Sequence, residues 1–389
     1  MFSSRTDWHR QPNRLNQLVE ELRRDGQPLY DLTVSNPTQC GIPYPAETIQ
    51  ALAQPQSLQY HPDPRGVLSA REAVRSYYRQ KGIEINPENV VLTASTSEAY
   101  SMVFRLLFEP GDDVLVPVPS YPLFEFLARL NDVVIRPYYL KYDGEWHVDI
   151  ASVGQALTSR TKGIIVVSPH NPTGMFLKKS ELTALSAIAG KNGLALIVDE
   201  VFSDYSFDGD NARVVSAAGS SDVLTFTFNG ISKLAGLPQM KLGWILVSGP
   251  ADQRDEAMGR LEIIADTYLS VNTPVQTALR QLLEYGTRVR DEIKRRTSGN
   301  MTTARWLVGG GSMCTLLRSE GGWYAILQVP RTRTGEEWSL GLLRDEHVYV
   351  HPGYFFDFES DNVLVVSLLP GPQQFEEGLR RIIRYVSGH

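Results

Sequence analysis

Two ionisable side chains follow apolar segments of this sequence, where a charge is costly to bury. Lys233 comes after Val223–Phe228, in the small-residue loop Asn229-Gly230-Ile231-Ser232-Lys233. A partly desolvated lysine has a lowered pKa and can act as an amine nucleophile. Asp199 closes the apolar segment Leu194–Val198, where a carboxylate needs a cation or a protonated ring as partner. The alternatives are a solvated surface lysine and a plain salt bridge.

Three further polar groups follow other apolar segments. The hydroxyls of Ser95-Thr96-Ser97 come after Val90–Thr93 and open a helix pattern, where they could cradle a phosphate or simply cap the helix. Tyr121 stands between two prolines and could stack on a ligand ring or pack in a turn. Asn171, in a run with two prolines, could donate to a ligand oxygen or only complete a turn. Taken together, the five groups suit a phosphorylated pyridine aldehyde.

The elements that must position these groups are short strands alternating with helices. Several apolar segments are apolar at consecutive positions, which is typical of strands buried on both faces. This alternation predicts a mainly parallel sheet covered by helices, with ligands at the carboxyl ends of the strands. The predicted strands are Val90–Thr93, Asp113–Pro117, Val133–Ile135, Gly163–Ser168, Leu194–Val198, Val223–Phe228 and Leu242–Val247.

The flanking regions predict a second, smaller unit. Residues 8–25 have the pattern of an amphipathic helix, and residues 275–308 that of one long helix or two in succession. Strand-like segments at 323–329, 348–350 and 363–368 precede a closing helix at 373–385. We therefore expect an N-terminal segment, 1–45, that joins a C-terminal α+β domain, 287–389. Between them lies a large α/β domain, 46–286.

Composition excludes several classes of protein. The 389 residues are 42% hydrophobic and 21% charged, and the net charge is −6, so a disordered chain and a basic nucleic-acid-binding surface are both disfavoured. Two cysteines, Cys40 and Cys314, exclude a disulfide framework, and no metal site is expected. No apolar run approaches the ~20 residues of a membrane span, and the N-terminus lacks a signal-peptide core. We expect a cytoplasmic protein without nucleic-acid or membrane partners.

The order and spacing of these motifs resemble the class I and II aminotransferases, which are fold-type I pyridoxal-phosphate enzymes. The likeness runs from about Tyr60 to Ser367. Its most specific motifs are Asn171-Pro172-Thr173-Gly174, Asp199-Glu200 and Ser232-Lys233. The resemblance implies a large domain with a mainly parallel seven-stranded sheet flanked by helices, and a smaller α+β domain built from both termini.

The resemblance also implies a role for each residue at the site. Lys233 would form a Schiff base (an aldimine) with pyridoxal 5′-phosphate and then move a proton between the substrate and the cofactor. Asp199 would keep the pyridine nitrogen protonated. Asn171 would bond the ring's phenolate oxygen, and Tyr121 would stack on the ring. The residues implied around the phosphate are Ser95, Thr96, Ser97 and Lys241, and Ser232 is a further implied cofactor-binding residue.

The implied activity is transfer of an amino group from an amino acid to a 2-oxo acid by a ping-pong mechanism. Tyr60 resembles the tyrosine that reaches the phosphate from a neighbouring subunit, so a homodimer with shared active sites is expected. The alternatives are other pyridoxal-phosphate chemistry, such as C–S or beta-elimination or decarboxylation, and a protein of this fold without catalysis.

Departures from the family pattern surround both the cofactor and the substrate. Lys241 replaces an arginine, Gly230 a phosphate-binding serine, and Phe202 a tyrosine that donates to the cofactor. Without that donor, we expect a raised imine pKa unless Tyr205 compensates.

The most serious departure is Val365, which replaces the arginine that binds the substrate carboxylate. Either another arginine substitutes, for which Arg65, Arg331 and Arg333 are candidates, or the substrate amine lacks that carboxylate. Asn36 is a further candidate substrate-binding residue. No arginine closely precedes Ser270-Val271-Asn272, which disfavours dicarboxylic substrates.

Overall fold

Three sheets, of eight, four and two strands, organise the chain in the computed structural model, which describes residues 1–8, 11–220, 222–269 and 271–388. The strands are β1 Tyr30–Asp31, β2 Val90–Thr93, β3 Asp113–Val118, β4 Val134–Tyr142, β5 Trp146–Val148, β6 Thr161–Val167, β7 Ala195–Asp199, β8 Thr225–Gly230, β9 Gly243–Ser248, β10 Thr315–Leu316, β11 Tyr324–Gln328, β12 Val348–Tyr349, β13 His351–Pro352 and β14 Val363–Ser367.

Helices cover the sheets and connect their strands. They are α1 Arg14–Arg24, α2 Glu47–Gln50, α3 Leu68–Gln80, α4 Thr96–Leu107, α5 Leu123–Leu130, α6 Ile150–Ala156, α7 Lys179–Asn192, α8 Ile231–Leu234, α9 Ala251–Tyr268, α10 Thr273–Gly309, α11 Gly335–Glu346 and α12 Pro372–Ser387. None of these described helices is long and apolar enough to span a lipid bilayer.

The large sheet has the strand order β2-β9-β8-β7-β6-β3-β4-β5. Its centre, from β8 through β7, β6 and β3 to β4, is parallel, while β9 and β5 run antiparallel to their neighbours. All seven predicted strands lie in this sheet, which confirms the expected α/β fold. The eighth strand, β5, was not predicted because it has only three residues and forms a hairpin with β4.

The central strands are apolar throughout because both of their faces are covered. On β6, Ile164 and Val166 belong to one core cluster, while Ile165 and Val167 belong to the cluster on the opposite face. This arrangement explains why these strands read as continuous hydrophobic runs rather than alternating ones. It also sets the carboxyl ends of β3, β6, β7 and β8 at one edge of the sheet.

The second sheet is antiparallel, with the order β10-β11-β14-β13. The N-terminal segment reaches this part of the chain, since β1 pairs in parallel with β12. The pattern at 275–308 is one continuous helix, α10, and the domain boundary predicted between residues 286 and 287 falls within it. The division of the chain into three segments stays a prediction.

Candidate active site

One cavity of about 270 Å³ lies at the carboxyl edge of the large sheet. Its walls come from the loops after β2, β3, β6, β7 and β8, from the start of β9, and from two residues beyond the large sheet, Ser35 and Tyr324. The sequence-predicted residues that line it are Ser95, Thr96, Ser97, Tyr121, Asn171, Asp199, Ser232, Lys233 and Lys241. The topology therefore brings together side chains that are up to 146 positions apart (241 − 95).

Lys233 lies on α8, directly after β8, with its amine among aromatic rings. Its Nζ atom is 4.9 Å from the centre of the Trp323 ring and 5.8 Å from that of Phe202, within the range of a cation–π contact. Burial lowers the pKa of Lys233 to about 8, and the charge of Asp199 opposes this shift. The lysine is therefore an amine with a substantial unprotonated fraction near neutral pH.

Asp199 ends β7 as a buried carboxylate. It accepts hydrogen bonds from the Tyr100 hydroxyl (3.2 Å) and from the Val201 backbone N–H (3.1 Å). Burial raises the pKa of Asp199 to about 6, because these two bonds and the charge of Lys233 only partly offset desolvation. A bound cation or protonated ring would remove this penalty.

The neighbouring Glu200 is not part of the cavity wall. Its carboxylate accepts from the Ser216 hydroxyl and from the Ala217 N–H, each at 2.6 Å. Successive side chains of an extended segment point in opposite directions, so only the first residue of the Asp-Glu pair reaches the cavity.

The amino end of α4 forms the opposite side of the cavity. Ser95 accepts from the Glu98 N–H at 3.2 Å, and the Glu98 carboxylate accepts from the Ala94 N–H at 2.6 Å, so the expected capping interaction is present. The Ser95 hydroxyl keeps a proton to donate. Lys241 lines the same side of the cavity and forms no ion pair with the carboxylates that the structure describes. Three hydroxyls, a helix terminus and a cation fit a phosphate group.

Gly230 has no room for the serine that the family pattern suggests. A Cβ atom at this position would lie 2.8 Å from Gly243 Cα and 2.9 Å from the Leu242 carbonyl oxygen. The close pairing of β8 with β9 thus explains the departure at residue 230 and leaves Ser232 as the hydroxyl of this loop.

Asn171 and Tyr121 complete the cofactor side of the cavity. The Asn171 side chain is buried, and its Oδ1 atom has no hydrogen-bond partner among the described residues. Tyr121 follows β3 and is 41% exposed at the cavity wall. Oδ1 is an acceptor, so the donor that Asn171 can offer a ligand oxygen is its Nδ2 group. This donor, a buried carboxylate, an amine and an anion cradle fit a phosphorylated pyridine aldehyde. Within the described ranges, no three His, Cys, Asp or Glu side chains cluster to bind a metal ion.

An aromatic cluster beside Lys233 was not predicted. The rings of Phe202 and Tyr205 each contact Trp323 edge-on, with centroids 5.1 and 5.2 Å away. The Tyr205 hydroxyl donates to the Lys233 backbone carbonyl at 2.6 Å, so it supports the loop and is committed there. Trp323 comes from the segment before β11, and only its aromatic character in a strand-like stretch could have suggested a role.

Three predicted residues lie outside the cavity. Tyr60 is 68% exposed. Arg65 pairs with Glu88 (3.0 Å) and Glu262 (3.6 Å). The side chain of Asn36 accepts from the backbone and hydroxyl of the nearby Thr38, and its neighbour Ser35 lines the cavity instead. Their proposed roles stay predictions.

Ser270 belongs to the segment that was expected to bear on dicarboxylic substrates, and it lies outside the described residues.

A covered parallel sheet with an amine, a carboxylate and an anion cradle at its carboxyl edge fits a pyridoxal-phosphate enzyme. The model of the family "Aminotransferase class I and II" matches residues 28–382, and the chain belongs to that family. It is 28% identical over 376 residues to the glutamate-pyruvate aminotransferase AlaA of Haemophilus influenzae, a match covering 95% of this chain and 93% of that protein. It is 27% identical over 384 residues to an alanine aminotransferase of Mycobacterium tuberculosis, covering 95% and 88%.

Solved structures share the fold. An alanine aminotransferase from Pyrococcus furiosus superposes with a TM-score of 0.88 at 24% identity, covering 100% of both chains. A Thermus thermophilus aspartate aminotransferase mutant gives 0.84 at 23% identity, covering 99% of both. The fold, the cofactor and the amino-group transfer expected from the sequence are thus confirmed: the chain is a pyridoxal-phosphate-dependent aminotransferase acting on amino acids and 2-oxo acids.

Proposed function

We propose that this enzyme exchanges an amino group between a monocarboxylic amino acid, such as alanine, and a 2-oxo acid, with Lys233 as the catalytic amine. The observation that carries the proposal is the meeting of Lys233, Asp199 and the α4 terminus in one cavity. When bound, pyridoxal phosphate supplies an aldehyde carbon for the amine and an electron-accepting ring.

The chain's polar groups would hold the cofactor at three points. Ser95, Thr96, Ser97, Ser232 and Lys241 would bind the phosphate at the α4 terminus. Asp199 would keep a proton on the pyridine nitrogen, because a buried carboxylate is stabilised most by a cation directly beside it. The Asn171 Nδ2 group would donate to the phenolate oxygen, and Tyr121 would contact the ring.

Lys233 then moves a proton between two carbons. With pyridoxal phosphate bound, the Lys233 Nζ atom would be the base that accepts the proton from the substrate's alpha carbon and the acid that gives it back. A pKa of about 8 favours this role, because the fraction of Lys233 in the neutral, basic form increases as the pH rises through that value. The aromatic wall of Trp323 and Phe202 excludes water from the amine.

Two features favour a monocarboxylic substrate. The relatives named above are a glutamate-pyruvate and an alanine aminotransferase, so alanine or pyruvate is the substrate they share. No arginine closely precedes residues 270–272, where a second carboxylate would be bound in family members that act on dicarboxylic acids. We therefore place alanine ahead of aspartate.

A second chain would complete each site. Tyr60 is strongly exposed, on a segment that also exposes Leu58 and Leu68. Exposed apolar side chains so close to a predicted phosphate ligand suit an interface between copies of this chain. We propose a homodimer in which Tyr60 reaches the partner's phosphate, and a cytoplasmic location, consistent with the two free cysteines.

The test is the first half-reaction followed through the cofactor's absorbance. Purified enzyme is mixed with alanine, glutamate, aspartate and serine, with Lys233→Ala as the control. We expect alanine to convert the cofactor to its amine form and to release pyruvate, with no conversion in Lys233→Ala. Release of ammonia without the amine form would indicate elimination instead, and no conversion by any donor would refute transamination.

A further inference from the structure

Two hydroxyl-bearing residues of the cavity wall come from outside the large sheet. They are Ser35, in the N-terminal segment, and Tyr324, the first residue of β11. The carbonyl of Val34 accepts from the Ser367 hydroxyl at 2.5 Å, and Ser367 lies opposite Tyr324 in the β11/β14 pair. This pairing brings Ser35 and Tyr324 to the wall of the same cavity.

No guanidinium is present among the described residues that line the cavity. Its cations are Lys233, the catalytic amine, and Lys241, which lies on the phosphate side. Val365 is 1% exposed and pairs with Ile326 on the same face of the small sheet as Tyr324. Its side chain packs in the apolar core, so that position supplies no charge.

The arginines considered as substitutes are held elsewhere. Arg65 pairs with Glu88 and Glu262. Arg331 and Arg333 line a separate surface cavity, where the Arg333 guanidinium stacks on Trp338. None of the three shares a wall with Lys233.

We propose that Ser35 and Tyr324 recognise the substrate's alpha-carboxylate through neutral hydroxyl donors, in place of a charged arginine. The inference rests on the proposed function, whose substrate it describes more closely. Hydroxyls satisfy the oxygen lone pairs of a carboxylate but do not neutralise its charge. A site of this kind therefore discriminates weakly between an amino acid and its uncharged carboxamide.

Tyr324 is the buried member of the pair. Burial raises its pKa to about 12, so the hydroxyl keeps its proton over the enzyme's working range. Ser35 is exposed and lines the same cavity. Both hydroxyls serve the same carboxylate, so losing either one weakens the same contact.

The test compares L-alanine with L-alaninamide in the first half-reaction. Wild type, Tyr324→Phe, Ser35→Ala and Arg65→Gln are assayed, with Tyr349→Phe as a matched control because that hydroxyl bonds Asn16 outside the cavity. We expect wild type to favour alanine by less than ~10-fold in kcat/KM, whereas a site built around a charged partner discriminates far more. Tyr324→Phe should lose about 10- to 100-fold on alanine and less on alaninamide, with an unchanged cofactor spectrum.

Three outcomes would overturn the inference. One is a wild-type preference for alanine above ~1000-fold that survives in Tyr324→Phe. Another is a larger loss in Arg65→Gln than in Tyr324→Phe. The third is equal losses in Tyr324→Phe and Tyr349→Phe. If the buried variant Tyr324→Phe misfolds, Ser35→Ala, at an exposed position, tests the same carboxylate contact. If no donor reacts even with wild type, the transamination proposal itself fails, which is a different result from altered discrimination.

Discussion

At the scale of single residues, the surroundings of Lys233 decide its chemistry. Its amine has the aromatic rings of Trp323 and Phe202 as neighbours, and the charge of the buried Asp199 carboxylate acts on it. Burial favours the neutral amine, while the π faces and the carboxylate favour the ammonium form. The balance gives a pKa of about 8, which suits an amine that must both attack a carbonyl and carry a proton.

Phe202 offers a test of how the cofactor's charge is controlled. In Phe202→Tyr, a hydroxyl added near the phenolate oxygen stabilises the deprotonated imine, so its pKa should fall. We expect the midpoint of the cofactor's visible absorbance to move down by about one pH unit, the size of one hydrogen bond to a charged group.

The control for this titration is Phe126→Tyr, which adds the same hydroxyl to an exposed ring outside the cavity. Its midpoint should match that of wild type. An unchanged midpoint in Phe202→Tyr would contradict the idea that the missing donor sets the imine pKa.

Residue types at strand ends were enough to predict one wall of the site. Asn171, Asp199 and Lys233 could be found because the carboxyl ends of parallel strands share an edge. Ser35 and Tyr324 could not, because their place at the cavity depends on how the N-terminal segment and the small sheet pack against the large one. Sequence patterns carry little information about such contacts between distant segments.

At the scale of elements, the residue that caps α4 both stabilises the helix and lines the cavity. Ser95 caps the helix in the same way that Thr334 caps α11, each accepting at 3.2 Å from the N–H three residues on. Only the α4 cap also lines the cavity. A single hydroxyl therefore stabilises the helix and presents a donor to an anion.

Because α4 and α11 begin with the same kind of cap, alanine variants of the two capping residues form a matched pair. Ser95→Ala and Thr334→Ala should each cost about 1 kcal/mol of stability through loss of the cap. Only Ser95→Ala should weaken the binding of pyridoxal phosphate, by roughly 10-fold, because it also removes a phosphate donor. The measurements are thermal unfolding and titration of the cofactor-free protein. Equal cofactor affinities in the two variants would show that Ser95 acts only as a cap.

Helix and strand boundaries were predicted less well than their existence. The helix expected at 8–25 begins at Arg14, because Asn13 caps it by accepting from the Asn16 N–H at 2.8 Å. The choice between one helix and two at 275–308 was settled in favour of one by packing, since buried residues recur along α10 from Val275 to Val308. Local patterns indicate the type of element, whereas caps and packing decide where it ends.

At the scale of the whole molecule, the loop carrying Asn171 is fastened to the segment before β11. The approach is so close that a Cβ atom on Gly174 would clash with Ser319 and with the Gly321 carbonyl oxygen, and the Glu320 carboxylate accepts from the Phe176 N–H at 2.9 Å. Glu320 also pairs with Arg213 at 3.0 Å. These contacts connect the loop that carries Asn171 to the segment that leads to Tyr324, so they join the cofactor side of the cavity to its substrate side.

The proposed dimer predicts a specific complementation. A chain with Lys233→Ala is co-expressed with a chain carrying Tyr60→Ala, and hybrids are purified through different tags. If Tyr60 serves the partner's site, each purified hybrid contains one intact site of two and should recover about half of wild-type activity. If Tyr60 serves its own chain, no intact site forms, and the activity of the hybrid would not exceed the average of the two parents.

The central claim is that the amine of Lys233 binds the cofactor covalently. The enzyme loaded with pyridoxal phosphate is treated with borohydride, digested and mapped by mass spectrometry. The account predicts one reduced pyridoxyl label per chain, on the peptide that contains Lys233, and none in Lys233→Ala. A label on Lys241 or on any other lysine, or no label at all, would contradict it.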